Sequence, residues 1–205
     1  MILIGYSGHA FVAYGILRES GYSISGYCDI EEKASNPFHI PYLGYEGSEQ
    51  GRELIRRHDF FIGIGDNRIR KKIFEQFAGI QRLPINAIHP SAVIDKSARI
   101  AAHAVMIAAG AKINPLATVG TGAICNTGSI IEHECQVGDF AHIGPGAVLC
   151  GNVIVGEGSF VGAGAVVRQN LHIGRNAMIG AGAVVVKPVG DGETVMGNPA
   201  RLWKP

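Results

Sequence analysis

One histidine in this chain is flanked by two carboxylates, in the run Glu132-His133-Glu134. Only seven charged side chains occur between residues 107 and 185, so this cluster interrupts a segment that is otherwise nearly free of charge. An imidazole titrates near neutrality and can accept a proton from an attacking amine or hydroxyl. We therefore interpret His133 as a general base and Glu134 as the carboxylate that orients it or raises its basicity. The alternative is a solvated histidine at a turn.

The cysteines are not expected to act as nucleophiles. Cys135 adjoins the cluster, but it falls at a small, inward position of the repeat described below, so we expect no covalent intermediate. The four cysteines show no C-x-x-C spacing, and a chain of 205 residues does not need disulfides. We interpret them as reduced thiols of a cytoplasmic protein, with metal binding or redox chemistry as the less favoured alternative.

The elements that carry this cluster follow a repeat of six residues. Stepping by six from Ile107 to Val185 meets Ile, Val or Leu at thirteen of fourteen positions, and Cys125 is the exception. A period of six is not helical, so each unit is interpreted as a short strand followed by a turn, with Gly or Asn taking the unusual turn dihedrals. Three units make one triangular coil, which buries its aliphatic residues only by stacking on its neighbours.

The repeat also marks where the chain changes character. Residues 1–90 hold 20 of the 35 charged side chains, so we place a domain boundary near Ile88-His89-Pro90. We expect an α/β domain over residues 1–88, a β-helix over 89–190 and a C-terminal tail over 191–205. The run from Val93 to Ile100 is one residue out of phase with Ile107, which predicts an irregular first coil around residues 101–106.

Three apolar runs in the first ninety residues predict strands, over residues 1–5, 25–29 and 60–65. The first and third runs enter glycine-rich turns followed by helical patterns, which is typical of a small Rossmann-like parallel sheet. Such sheets bind nucleotides at the carboxyl ends of their strands and at helix N-termini. The full G-x-G-x-x-G motif is missing, so tight turns without a ligand remain the alternative. The candidate nucleotide-binding residues are Gly8, His9, Asp29, Gly65 and Asn67.

The bulk composition excludes several classes of partner. The formal net charge is +1 and charged residues make up 17% of the chain, which gives no electrostatic basis for binding nucleic acid or an anionic membrane. No apolar run approaches the 18 residues of a membrane span, and the N-terminus lacks the features of a secretory signal. We therefore expect a cytoplasmic protein with small-molecule ligands.

Several short segments form a combination more specific than the hexapeptide repeat alone. They are Gly5-Tyr6-Ser7-Gly8-His9, Ile64-Gly65-Asp66-Asn67-Arg68-Ile69-Arg70, Ile88-His89-Pro90-Ser91-Ala92, Asn126-Thr127, Ile131-Glu132-His133-Glu134-Cys135 and Gly197-Asn198-Pro199-Ala200-Arg201. Over essentially its whole length the chain resembles the sugar O- and N-acetyltransferases of the left-handed β-helix superfamily. These include bacterial UDP-4-amino-sugar N-acetyltransferases of the bacillosamine pathway and sialic acid O-acetyltransferases.

The resemblance implies a left-handed parallel β-helix, a homotrimer, and acetyl-CoA as cosubstrate in a groove between adjacent β-helices, without a metal. It also implies a UDP-sugar or similar acceptor on the N-terminal domain. His142 is implied to polarise the thioester carbonyl or to hold the pantetheine arm, with a surface or intersubunit hydrogen bond as the alternative. The residues expected to contact acetyl-CoA are His142, Gly144, Gly162, Gly180, Lys187 and Arg201. For Lys187 and Arg201 the alternative is a solvated side chain without a ligand.

The favoured function is direct transfer of an acetyl group from acetyl-CoA to the amino group of a nucleotide-linked 4-amino-4,6-dideoxy sugar. O-acetylation of a sugar of the sialic acid type is the alternative within the enzyme class. A non-catalytic trimeric scaffold, or a zinc hydratase using His103, His133 and His142, are alternatives from other classes. Amino-sugar members tend to carry paired acids where this chain has Asp29-Ile30, so the nucleotide stays open.

Overall fold

The computed structural model describes residues 1–203, which form a small α/β domain and a parallel β-helix. The α/β domain contains β1 (Ile2–Ile4), α1 (Gly8–Glu19), β2 (Gly26–Cys28), α2 (Glu49–Arg57), β3 (Phe60–Ile62) and α3 (Asn67–Ala78). The β-helix contains β4 (Ala87–Ile88), β5 (Val93–Ile94), β6 (Arg99–Ile100), β7 (Met106–Ile107), β8 (Lys112–Ile113), β9 (Thr118–Val119), β10 (Ile124–Cys125), β11 (Ile130–Ile131), β12 (Gln136–Val137), β13 (His142–Ile143), β14 (Val148–Leu149), β15 (Ile154–Val155), β16 (Phe160–Val161), β17 (Val166–Val167), β18 (His172–Ile173), β19 (Met178–Ile179), β20 (Val184–Val185), β21 (Thr194–Met196) and β22 (Arg201–Leu202).

The N-terminal sheet is parallel and has the order β2-β1-β3. Its three strands are buried along their whole length, because α1 covers one side and α2 and α3 cover the other. The three predicted strands are therefore confirmed. Since the strands run in the same direction, their carboxyl ends bring Gly5, Asp29 and Gly63 to one edge of the sheet.

The sequence patterns also predicted α1 and α3, but not α2. In α3, Asp66 caps the helix by accepting hydrogen bonds from the backbone N–H groups of Arg68 and Ile69. In α2, only Gly51 and Ile55 are buried, so its apolar pattern is too sparse for a periodicity argument.

Each coil of the β-helix contributes one strand to each of three sheets. The first face consists of β4, β7, β10, β13, β16, β19, β21 and β22, and the second of β5, β8, β11, β14, β17 and β20. The third face consists of β6, β9, β12, β15 and β18. The inward aliphatic residues from Ile107 to Val185 are buried in one continuous core, which confirms the predicted period.

From Ile107 to Ile179, a left-handed residue follows each inward residue of the repeat three positions later. Glycine or asparagine takes this conformation at most corners, as expected, but Leu116 (φ 63°), Glu134 (φ 61°) and Phe140 (φ 54°) also adopt it. The glycines that directly follow the inward aliphatic residue are required by space and not by backbone conformation. A Cβ at Gly138 would lie 2.8 Å from the backbone nitrogen of Glu157, so the next coil leaves no space for a side chain.

The boundaries differ slightly from those expected. The β-helix begins at β4, because Ala87 already pairs with Met106 on the first face. It continues past residue 190, where β21 pairs with β19 in parallel and β22 returns antiparallel to β21. The expected irregularity around residues 101–106 is observed, since five residues separate β6 from β7 whereas four separate β4 from β5 and β5 from β6.

The α/β domain covers the first face at β7, β10 and β13. Met106 and Ile124 point outward from that face and are buried in the same cluster as Leu17 of α1. The row that points outward from the second face is only partly covered and is apolar at Ile130, Val148, Val166 and Val184.

Candidate active site

His133 lies at the corner between the second and third faces, in the turn from β11 to β12. The backbone holds this corner on both sides, because Glu134 N–H donates to the Pro115 carbonyl (3.0 Å) and Asn152 N–H donates to the His133 carbonyl (2.8 Å). The His133 side chain is 58% exposed. A solvent-facing imidazole is thus presented on a backbone that stacked coils fix in place.

His133 and Glu134 form the expected pair. The Nδ1 atom of His133 lies 3.0 Å from Oε2 of Glu134. A carboxylate only accepts hydrogen bonds, so Nδ1 carries the hydrogen and Nε2 has its lone pair free. Among residues 1–203, no hydrogen-bond partner engages Nε2. This is the tautomer that a general base needs.

The corner that carries His133 continues along the β-helix axis. Gly151 lies one coil further, Gln169 two coils further and Lys187 three coils further. With coils about 4.8 Å apart, Lys187 lies about 14 Å from His133 along this edge. Lys187 and Arg201 line the same small cavity of about 170 Å³, together with Glu193. The two basic residues predicted near the CoA phosphates are therefore neighbours.

His142 is buried within the single chain, and its expected role at acetyl-CoA stays a prediction. It lies on β13 of the first face, is 6% exposed and sits beneath the α/β domain. Its Nε2 accepts from Asn126 Nδ2 (3.1 Å) and its Nδ1 faces the Gly65 carbonyl (3.4 Å). Burial, the His9 ring and the Arg70 charge lower the pKa of His142 to about 3. His142 is therefore neutral and fully engaged, and within one chain it does not reach the corner of His133.

The glycines expected along the acetyl-CoA groove stack on the edge where the first face turns into the second. Close approach of the next coil explains each of them without a ligand. A Cβ at Gly144 would lie 2.7 Å from the Val161 carbonyl, one at Gly162 2.5 Å from Ala181 N, and one at Gly180 2.8 Å from Met196 Cβ. Within one chain this edge is separate from the corner of His133.

In the α/β domain, Gly8 opens α1 and is exposed, whereas His9 points inward. The buried Nε2 of His9 has no hydrogen-bond partner among the described residues. Burial, with a smaller effect from the Arg70 charge, lowers the pKa of His9 to about 4. The rings of His9 and His142 lie 5.6 Å apart at the junction of the two domains.

Asp29 lies at the expected edge of the sheet, but its carboxylate already has partners. Oδ2 accepts from Tyr6 N–H (3.0 Å), and Oδ1 accepts from Ile30 N–H (2.8 Å) and pairs with Lys33 (3.1 Å). Asp29 thus links the end of β2 to the glycine-rich turn that follows β1.

Gly65 and Asn67 border a cavity between the α/β domain and the β-helix. The cavity measures about 480 Å³, which suits a small ligand. Phe160, Ala177 and Met178 provide its apolar wall and Asp66, Asn67, Arg68 and Asn176 its polar wall. Of the predicted acceptor-site residues, the structure therefore brings Gly65 and Asn67 together at this cavity, with His9 packed behind Gly65.

Within residues 1–203, no group of three or more His, Cys, Asp or Glu side chains is arranged to hold a metal ion. In particular, His103, His133 and His142 lie on different corners and faces of one chain. No helix in the described part of the chain is both long and apolar enough to cross a membrane.

Three residues with evident effects on the site were not assigned a role from the sequence. Gly151 leaves room for the His133 ring, Asn126 holds His142, and Arg70 joins the two domains. Stepping eighteen residues from His133 would have identified Gly151. Asn126 and Arg70 belong to the resemblance motifs, but their contacts depend on tertiary structure.

Comparison with known families matches both domains. The model of the PglD N-terminal domain matches residues 1–77, and the bacterial transferase hexapeptide (six repeats) model matches residues 134–169 and 152–187.

Comparison with solved structures extends the match to the whole chain. A variant of perosamine N-acetyltransferase from Caulobacter crescentus, in complex with CoA and GDP-perosamine, is 34% identical, with a TM-score of 0.93 over 100% of this chain and 96% of that chain. PerB from the same organism, also with CoA and GDP-perosamine, is 35% identical, with a TM-score of 0.91 over 99% and 96%. The acetyltransferase domain of PglB from Neisseria gonorrhoeae, in complex with acetyl coenzyme A, is 32% identical, with a TM-score of 0.87 over 98% of both chains. The predicted fold, a Rossmann-like domain followed by a left-handed β-helix, is thereby confirmed.

Proposed function

Because this chain belongs to the left-handed β-helix family of acetyltransferases that includes perosamine N-acetyltransferase and PglB, we propose that it acetylates the amino group of a nucleotide-linked 4-amino-4,6-dideoxy sugar. The donor is acetyl-CoA. The observation that carries this proposal is the whole-chain match to enzymes crystallised with CoA and GDP-perosamine.

His133 is the proposed general base. The amine nitrogen of the acceptor attacks the thioester carbonyl carbon, and Nε2 of His133 takes a proton from that nitrogen. Collapse of the tetrahedral intermediate breaks the carbon–sulfur bond, and the proton passes to the departing CoA thiolate. Glu134 holds Nδ1–H and stabilises the imidazolium that forms. General-base catalysis contributes roughly 10²–10⁴-fold, and the rest comes from positioning both substrates.

Geometry supports a site shared between copies of the chain. The α/β domain sits on the first face, whereas His133 sits at the corner opposite that face, between the second and third. An acceptor bound in the domain-junction cavity therefore needs the His133 of another copy. We propose a homotrimer, and the apolar outward row of the second face beside His133 supports contact between copies.

Acetyl-CoA is proposed to lie along the corner of His133. Its thioester would then meet His133, and its phosphates would meet Lys187 and Arg201 at the far end. A partner copy would contribute the edge formed by Gly144, Gly162 and Gly180. His142, being neutral and buried, faces the carbonyl of Gly65, which borders the acceptor cavity.

The acceptor is proposed to bind at the junction of the domains. The nucleotide lies at the edge of the sheet near Gly8 and Asp29, and the sugar occupies the cavity bordered by Gly65 and Asn67. The apolar wall of Phe160 and Met178 favours a sugar with a methyl group at C6, because a hydroxyl there would lose its hydration.

An acceptor panel tests this proposal. CoA thiol release is measured with acetyl-CoA and GDP-, UDP- and dTDP-linked 4-amino-4,6-dideoxy sugars, with the 4-hydroxy analogues and free sialic acid as comparisons. We expect release with an amino sugar and little with the rest, and a His133→Ala protein should lose most of this activity. Release with sialic acid alone would establish O-acetylation instead. Undiminished transfer by His133→Ala would remove the proposed base.

A further inference from the structure

The guanidinium of Arg70 is buried, with the residue 1% exposed, yet no carboxylate within residues 1–203 pairs with it. All five of its N–H donors are nevertheless used. The acceptors are the Gly122 carbonyl (2.8 Å) for Nε, the carbonyls of Ile64 (3.1 Å) and Gly65 (3.0 Å) for Nη1, and Asn67 Oδ1 (2.8 Å) and the Phe140 carbonyl (2.9 Å) for Nη2.

These acceptors belong to two different domains. Ile64, Gly65 and Asn67 form the turn from β3 into α3, whereas Gly122 and Phe140 lie at one corner of successive β-helix coils. Burying a charge without a directly paired counter-charge is unfavourable, and Asp66 acts on Arg70 without forming an ion pair, so full hydrogen bonding is needed to keep the guanidinium there. The planar fork of an arginine can satisfy acceptors in these directions, and the three donors of a lysine cannot. Arg70 therefore clamps this turn against the β-helix.

The clamped groups border the cavity proposed for the acceptor sugar. Asn67 accepts from Arg70 through Oδ1, which turns its Nδ2 toward the carbonyls of Gly158 (2.9 Å) and Ser159 (3.2 Å). The Gly65 carbonyl accepts from Arg70 and also faces His142 Nδ1. One side chain thus sets the position of the cavity wall and of the His142 ring.

We propose that Arg70 is a positioning residue for the acceptor: it holds the β3–α3 turn, and with it Gly65 and Asn67, in the arrangement that binds the nucleotide sugar. This inference rests on the proposed function. The Arg70 charge also helps to keep two histidines at the domain junction neutral. It adds to burial in lowering the pKa of both His9 and His142. None of the five hydrogen bonds of Arg70 reaches His133.

Arg82 provides a matched control. Its guanidinium also donates to backbone carbonyls, from Nε to Ile55 (3.0 Å) and from Nη2 to His58 (2.8 Å). These contacts stay inside the α/β domain and do not approach the cavity. Arg82→Lys therefore removes an arginine of similar bonding without disturbing the junction.

Steady-state kinetics on the full-length protein separate the two roles. We expect Arg70→Lys to raise KM for the amino-sugar acceptor by at least about tenfold, with KM for acetyl-CoA within about twofold of wild type. Arg82→Lys should leave both KM values unchanged. A purely structural role predicts a lower Tm with an unchanged acceptor KM in the folded fraction, and that result would overturn the proposal.

A second measurement needs no acceptor. In hydrogen exchange, Arg70→Lys should deprotect residues 64–70 while β1 keeps its protection, and Arg82→Lys should not. If Arg70→Lys does not fold, Asn67→Ala removes one acceptor of the fork, and it should raise the acceptor KM and deprotect the same turn. Unchanged protection of the turn refutes the inference on Arg70, whereas a wild-type protein that acetylates no amino sugar refutes the proposed function.

Discussion

The imidazole of His133 lies directly against the backbone of Gly151 in the next coil. A Cβ on residue 151 would come within 2.5 Å of both Cε1 and Nε2 of the ring. Gly151 therefore determines where the free nitrogen of the proposed base points. Its φ is not left-handed, so space rather than backbone strain is what excludes a side chain there.

Replacing Gly151 with alanine should displace the His133 ring. We expect kcat to fall by at least about tenfold, because a misplaced base loses proton-transfer geometry, while Tm changes by only a few degrees. Gly15→Ala, at a glycine of α1 where an added Cβ meets open space, is the matched control and should retain activity. Wild-type kcat in the Gly151→Ala protein would show that the ring position is not critical.

Glu134 carries backbone strain at the site, since it adopts φ 61°. Glu134→Gly should relieve that strain and raise the free energy of unfolding by up to about 1 kcal/mol, yet lower kcat because the carboxylate is lost. Glu134→Gln keeps the strain and should lower kcat without the gain in stability. Denaturant unfolding and initial rates measure the two effects. Loss of stability in Glu134→Gly would contradict the strain argument.

A site shared between copies predicts complementation. His133→Ala and Asn67→Ala chains are each expected to be impaired, the first in the base and the second in the acceptor site. When a one-to-one mixture is unfolded and refolded, the chains assemble at random. About a quarter of the sites should then take an intact His133 from an Asn67→Ala chain and an intact acceptor site from a His133→Ala chain, and these sites should be active. The control is the same mixture of the two folded proteins without the unfolding step, in which the subunits do not exchange and no activity should return. A site contained within one chain predicts no recovery.

Lys187 and Arg201 are predicted to bind the CoA phosphates. Lys187→Met and Arg201→Met should each raise KM for acetyl-CoA about tenfold and leave the acceptor KM unchanged, because each removes one charge-assisted contact. Arg57→Met on α2 serves as the control. The variant whose residue binds the 3′-phosphate should no longer distinguish acetyl-CoA from its 3′-dephospho analogue. Unchanged KM in both variants would place the phosphates elsewhere.

Acid should destabilise the protein through the buried histidines. Folding lowers the pKa of His142 to about 3 and that of His9 to about 4, so below pH about 6.5 the unfolded chain binds more protons than the folded one. Stability present above that pH is then lost as pH falls, by up to about 1.4 kcal/mol per pH unit for each group. His142→Asn should give a shallower decline in Tm between pH 6.5 and 4.5. An equally steep decline would contradict the burial argument.

The sequence alone predicted the features that depend on local repetition. A period of six specifies strands, corners and the stacking of coils, so it also placed His133 and Glu134 at an outward turn beside an inward Cys135. The three apolar runs of the first domain were equally predictable, because buried parallel strands require continuous apolar residues. The helix α2 was not predictable, because only Gly51 and Ile55 are buried and two residues do not make a recognisable apolar period.

Only the tertiary structure decided how the two domains meet. His142 has the same repeat position as Phe160 and Met178, yet it is buried because the α/β domain covers that part of the first face. Arg70 looks like any helix-surface arginine until its five acceptors assemble from two domains. Sequence periodicity determines which way a side chain points along one element. What covers that side chain depends on packing between segments far apart in the chain, which no local pattern encodes.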